Sequence, residues 1–228
     1  MKKKLKLENM KFFGLDQESF YEGEVINGKP HGHGKLTYSK VETNEYDSYF
    51  EGIFHEGLPI EGKFFDRFGT IFDGKFDKEN SENGNGRIIY KDDGEYIGEW
   101  YRFEKIGEGT MKFIAGTEFK GRWHEDCPSD GVMTYPDGTK FKGWFNQLSY
   151  DFSDGEIIYP NGSKFKADFF YFDERVRRDF EGKMFYPNNG GVIEGTLHIA
   201  DFIKFNDHLS NDTYMLTPSA KDRFEPKK

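Results

Sequence analysis

The chain is short of cysteine, of aliphatic side chains, of positive charge and of long apolar runs, and each shortage excludes something. A single cysteine, Cys127, in 228 residues excludes a disulfide framework or a Cys-rich zinc site within one chain and fits a reducing compartment. Lys plus Arg is 32 against 41 for Asp plus Glu, a net charge of −9. That balance argues against nucleic acid as a partner, because phosphate contacts need a basic face. No apolar stretch approaches ~18 residues, so no membrane-spanning helix is expected. The first residues, Met1-Lys2-Lys3-Lys4-Leu5-Lys6-Leu7, carry positive charge with no apolar region behind it, so no secretory signal is read there.

Rings and glycine are plentiful. Hydrophobic residues make up only 35%, yet 18% of the chain is aromatic, with 25 Phe, 13 Tyr and 3 Trp, beside 27 Gly. Many rings and glycines with few aliphatics suit twisted β-structure with tight turns and fit helical bundles poorly.

Internal repeats set the architecture. The pattern aromatic-x-Gly-x-aromatic recurs at Phe50-Gly52-Phe54, Phe72-Gly74-Phe76, Tyr96-Gly98-Trp100, Phe119-Gly121-Trp123 and Phe141-Gly143-Phe145. Tyr21-Gly23-Val25, Phe165-Ala167-Phe169 and Ile193-Gly195-Leu197 are looser copies. Successive first positions differ by 29, 22, 24, 23, 22, 24 and 28 residues. A second pattern, Gly-x-apolar-x-ring, follows each: Gly34-Leu36-Tyr38, Gly86-Ile88-Tyr90, Gly109-Met111-Phe113, Gly131-Met133-Tyr135, Gly155-Ile157-Tyr159 and Gly182-Met184-Tyr186. Gly62-Phe64-Asp66 has lost its ring. Both patterns have period two, so each marks a strand with rings and glycines on one face. Glycine there leaves room for a ring to lie flat over the backbone. Connectors such as Pro136-Asp137-Gly138 and Pro160-Asn161-Gly162 carry hairpin-turn chemistry. The opposite face is mainly charged, and no segment in the repeats has helical periodicity.

Tyr-x-Gly-x-Trp, a variable loop, Gly-x-Gly and a further glycine resemble MORN repeats (membrane occupation and recognition nexus). Residues 21–38, with Lys29-Pro30-His31-Gly32-His33-Gly34, and residues 96–116, with Gly107-Glu108-Gly109, carry the resemblance best. It implies an all-β fold, a single elongated, twisted antiparallel sheet of consecutive β-hairpins with little helix. About sixteen strands at ~4.8 Å would make that sheet roughly 75 Å long. The expected divisions are residues 1–19 as an N-terminal cap or half hairpin, 20–200 as about seven repeats with a degenerate eighth, and 201–228 as a capping or extended tail. Insertions at 39–49 and 170–180 depart from the period, the second a charged loop through Asp173-Glu174-Arg175-Val176-Arg177-Arg178-Asp179.

Catalytic and metal chemistry find little support. His31 and His33 fill variable positions of the repeat, with no third ligand near in sequence. Cys127, expected in a loop beside His124, lacks an orienting group and an oxyanion hole. Carboxylates recur with the repeat instead of pairing in one cleft. No enzyme activity, metal or cofactor is expected.

What remains is the aromatic face, which has no helical layer to cover it. The expectation is a partner-binding groove lined by Tyr96, Trp100, Phe113, Phe119, Trp123, Tyr135, Phe141 and Phe145, taking a helix or extended segment of a partner protein. By resemblance the chain is a scaffold in a multi-protein assembly, cytoplasmic and cytoskeletal, in a setting such as the radial spokes of a ciliary axoneme. A homodimer along an exposed end strand is compatible with an open sheet. The alternative is a peripheral membrane module that uses Lys2, Lys3, Lys4 and Lys6, or Arg175, Arg177 and Arg178, on phosphoinositides.

Overall fold

The computed structural model describes residues 2–7, 12–15, 18–38, 48–145, 152–167, 179–187, 191–199, 201–205, 213–217 and 223–227. Residues 39–47 of the first insertion, residues 170–178 of the second with Arg175, Arg177 and Arg178, and Phe169 lie outside them, as do the side chains of Lys2 and Lys3. Every regular element among the described residues is a strand, so the all-β, antiparallel expectation holds. None of these residues forms a helix long and apolar enough to cross a membrane.

The chain divides into two compact units, residues 1–111 and 112–228. The first contains β1 (Lys2–Leu7), β2 (Ser19–Ile26), β3 (Lys29–Tyr38), β4 (Tyr49–His55), β5 (Leu58–Phe65), β6 (Ile71–Phe76), β7 (Gly84–Tyr90), β8 (Gly94–Tyr101) and most of β9 (Glu104–Phe113). From β1 to β8 each strand pairs antiparallel with the next. The second unit contains β10 (Glu118–His124), β11 (Cys127–Thr134), β12 (Lys140–Phe145), β13 (Phe152–Ile158), β14 (Lys164–Ala167), β15 (Asp179–Phe185) and β16 (Val192–His198), again paired in order. There β17 (Asp201–Phe205) and β18 (Thr213–Thr217) pair with each other, and β19 (Arg223–Pro226) pairs with β16.

Two rows run across the strands of each unit. In the first, Tyr21, Leu36, Phe50, Phe64, Phe72, Ile88 and Tyr96 stand opposite one another in turn. Two residues along, Gly23, Gly34, Gly52, Gly62, Gly74, Gly86 and Gly98 do the same. The second unit repeats the arrangement with Phe119, Met133, Phe141, Ile157, Phe165 and Met184 beside Gly121, Gly131, Gly143 and Gly155. Period-two alternation puts both rows on one face, and these apolar residues form the buried core.

The glycine row is steric in origin. A Cβ on Gly109 would fall on the ring of Tyr96, and one on Gly131 would meet Phe119 Cζ at 2.9 Å and the Lys120 carbonyl oxygen. A β-carbon on Gly121 would strike the Asp130 carbonyl oxygen and Gly131 Cα at 2.6 Å. Rings therefore lie directly on backbone, which is how one sheet hides so many aromatics without a helical layer.

Short turns set the register. Asn27 with Gly28, Glu56 with Gly57, Arg102 with Phe103 and Glu125 with Asp126 all have positive φ at both central positions, the requirement of two-residue type I′ hairpins. Cys127, expected in a loop, instead follows such a turn directly and opens β11. The connectors at the other strand ends use Asx turns. Asp137 accepts from the Thr139 amide at 2.8 Å and from its hydroxyl at 3.0 Å, and Asn161 accepts from the Ser163 amide at 2.9 Å. Asp66, where the second pattern loses its ring, accepts from the amides of Phe68 and Thr70 at 2.8 Å each. The ring has given way to a turn-forming carboxylate.

Candidate functional site

The ring-bearing face of the first unit is not open. Residues 12–15 form an isolated tight turn of their own, with a bridge between Phe12 and Leu15, the Leu15 amide donating to the Phe12 carbonyl at 3.1 Å, and positive φ at Phe13 and Gly14. This turn drops the Phe13 ring into the aromatic row. It stacks on Phe64 at 4.2 Å between centroids and on Phe50 at 5.4 Å, and meets Phe76 edge-on at 5.2 Å. Phe12 and Phe13 are only 5% and 2% exposed. An uncovered face was expected; in this unit the chain's own N-terminal segment covers part of it.

A second ring comes from a hairpin tip. Phe103 has φ of 67°, an uncommon conformation for a residue with a side chain, and its ring packs against Phe64 at 5.7 Å and Phe72 at 4.9 Å. The connector between β6 and β7, residues 77–83, holds both contributors. Its Ser81 hydroxyl accepts from the Phe13 amide at 2.7 Å, its Glu82 carbonyl from the Phe103 amide at 3.0 Å, and its Asn83 side chain from the Arg102 amide at 2.9 Å. From the far side, the Tyr38 hydroxyl donates to the Phe12 carbonyl at 3.2 Å. Burial pushes the Tyr38 phenol well above its ordinary value, so it stays a donor across the physiological range.

Two cavities flank the turn. One of about 340 Å³ lies between Phe12, Phe13, Gly14, Leu58, Pro59 and the 77–82 connector. Another of about 380 Å³ is lined by Phe13, Leu15, Phe64, Phe72 and Phe103 among others.

Of the eight expected groove residues, the structure places Tyr96 and Trp100 in the first unit. Phe113, Phe119, Trp123, Tyr135, Phe141 and Phe145 are in the second. All but Phe113 are buried, none above 4% exposure. Tyr96 lies over Gly98 and Gly109, and its hydroxyl donates to the carbonyls of Glu99 at 3.0 Å and Ile106 at 3.1 Å. Tyr21 repeats the geometry with Glu24 and His31. Its phenol is likewise held above the ordinary value, chiefly by desolvation. Trp100 meets Phe72 and Phe76 at 5.6 and 5.7 Å, and its Nε1 is buried without a hydrogen-bond partner among the described residues. In the second unit Phe119 is edge-on to Trp123 and Phe145, and Phe141 is edge-on to Phe145. These rings are core.

Sequence reasoning assigned no groove role to Phe12, Phe13 or Phe103. For Phe103 the available signal was Phe at a turn position where the related hairpins carry Gly28, Gly57 and Asp126.

The remaining sequence candidates are on the surface. Lys4 pairs with Glu22 at 3.8 Å and Lys6 with Glu18 at 2.7 Å, so two of the terminal lysines already face carboxylates. The His31 ring sits 5.3 Å from that of His55, and the described residues contain no group of three or more His, Cys, Asp or Glu able to hold a metal ion.

Comparison with known proteins agrees with the repeat geometry. A family model described as MORN repeat matches residues 21–40 and 131–140. The chain is also 26% identical over 160 residues to alsin of Homo sapiens and alsin of Mus musculus. Those alignments cover 57% of this chain and 10% of alsin, so the chain spans about a tenth of the length of these curated relatives.

Proposed function

Because the chain carries MORN repeats, we propose that it is a non-catalytic interaction module that holds segments of partner proteins along its ring-bearing face. The observation that carries this reading is the pair of unbroken rows, apolar residues beside glycines, presented strand after strand on one face. A surface that repeats suits an extended partner, whereas a small molecule needs one site where unlike polar groups converge. Tyr96, Trp100, Phe119, Trp123 and Phe141 shape the floor of that face, with Phe113, Tyr135 and Phe145 beside them. The assembly in this reading is cytoskeletal, with a ciliary axoneme as its setting by family resemblance. A lipid-binding role is the second reading, and the pairing of Lys4 and Lys6 with glutamates weighs against it.

Affinity purification of the tagged full chain from its own cells without detergent, followed by mass spectrometry, tests the proposal. Recovery of partner proteins in fixed proportion, tubulin or other axonemal components among them, supports it. Recovery of lipid with no stoichiometric protein, together with sedimentation on anionic vesicles at 150 mM salt, would replace it by the membrane reading.

A further inference from the structure

We propose that residues 12–15 are an intramolecular ligand. Their turn closes the aromatic site of the first unit and is displaced by a partner protein segment that presents two adjacent aromatic side chains at a glycine-containing tight turn. The inference rests on the interaction-module reading and specifies its regulation and the chemistry of its partner.

Four observations carry it. First, the contacts are those of a docked peptide. Phe13 sits in a slot formed by Phe50, Phe64 and Phe76, and polar contacts to Ser81 and Tyr38 fix the backbone on either side. Second, among the described residues the segment is joined to the unit's sheet by no ladder of its own, and its bridge between Phe12 and Leu15 is internal. Third, Phe13 is held at φ of 55°, a conformation that disfavours side chains and persists only where surroundings impose it. Gly14 follows at φ of 67°, where a side chain is strained, so the turn itself favours glycine after the ring. Fourth, cavities of about 340 and 380 Å³ remain on both sides. A longer occupant would fill them, which is how it would outcompete the tethered turn. Tethering raises the local concentration of the internal ligand to the millimolar range, so an outside segment must bind distinctly better or meet an opened turn.

The test uses the full chain and a fluorescein-labelled peptide with the sequence of residues 10–17. In the wild-type protein, the amides of Phe13 and Leu15 are expected to exchange with solvent at least ten times faster than those of β4 and β5, reporting local release. A Phe12→Ala, Phe13→Ala variant is expected to keep a cooperative urea transition and bind the peptide at least tenfold more tightly than wild type. The same peptide with alanine at Phe13 should not bind. Exchange of Phe13 only together with β4 and β5 would make the segment ordinary core and overturn the proposal. So would loss of cooperative unfolding in the variant, or a folded variant that leaves the peptide unbound. Because the probe comes from this chain, peptide binding without any cellular partner would sink the interaction-module reading, and with it the displacing partner, and leave only the intramolecular plug. Partner recovery without peptide binding would do the reverse.

Discussion

At the scale of single residues, two kinds of glycine have different reasons to be glycine. Gly98 lies beneath Tyr96, and a Cβ there would collide with the phenol and lie 2.9 Å from the Glu108 carbonyl oxygen. Gly28 has nothing within 4 Å and is needed only for its φ of 77°. Gly98→Ala should therefore cost about 2–3 kcal/mol through overpacking, against about 1 kcal/mol of backbone strain for Gly28→Ala. Urea unfolding of the two variants checks the order, and equal losses would refute the steric account. Tyr38 carries a pH prediction. Its folded-state pKa is raised, so the stability tied to the neutral phenol is complete below the ordinary value of about 10 and declines as pH rises past it. Tyr38→Phe should lose about 1 kcal/mol at neutral pH with the bond to Phe12, and its urea midpoint should fall less steeply than wild type between pH 10 and 11.

At the scale of elements, turns decide more than strands. The second-unit connectors stack in sequence: a Cβ on Gly116 or Gly138 would touch Pro136 or Pro160, each at 3.5 Å. Asp137 closes one of these turns with two bonds to Thr139. Asp137→Ala should lower stability by about 1–2 kcal/mol, and Asp137→Asn, which keeps an acceptor, should recover much of it in the same urea assay. Strand identity, register and the partnership of rings with glycines were legible in the sequence because period two writes a face directly into the chain. The closing of the first unit was not. Residues 1–19 read as a cap or half hairpin, but no local pattern says that the Phe13 ring lands on Phe64, some fifty positions on, and Phe103 sits where backbone preference argues for glycine. Burial of Tyr96, Trp100 and Phe119 was legible in part: the glycines announce rings lying on backbone, but alternation does not give the ring-on-ring contacts that complete it.

At the scale of the whole molecule, a repeat array has mainly nearest-neighbour interactions, so damage should stay local. Phe72→Ala removes a ring that meets Phe64, Trp100 and Phe103. Amide exchange should accelerate at least tenfold in β5 to β8 and change by no more than about threefold in β2 and β3; uniform acceleration would mean that the unit opens as one body. The charged face adds little to this balance. Pairs such as Lys35 with Glu51 at 2.8 Å and Arg122 with Asp130 at 2.7 Å are half exposed, and pairs of that kind contribute about 0–1 kcal/mol each.

The glycine row also bears on how such a chain can change length. Inserting a second copy of one stretch, for example the 22 residues that separate Phe50 from Phe72, would again set glycine against glycine and apolar against apolar at both new junctions. A gene encoding this protein can thus gain or lose whole periods by recombination without refitting the neighbours. A shift of a single codon inside a strand, by contrast, would drive a β-carbon into the opposing backbone.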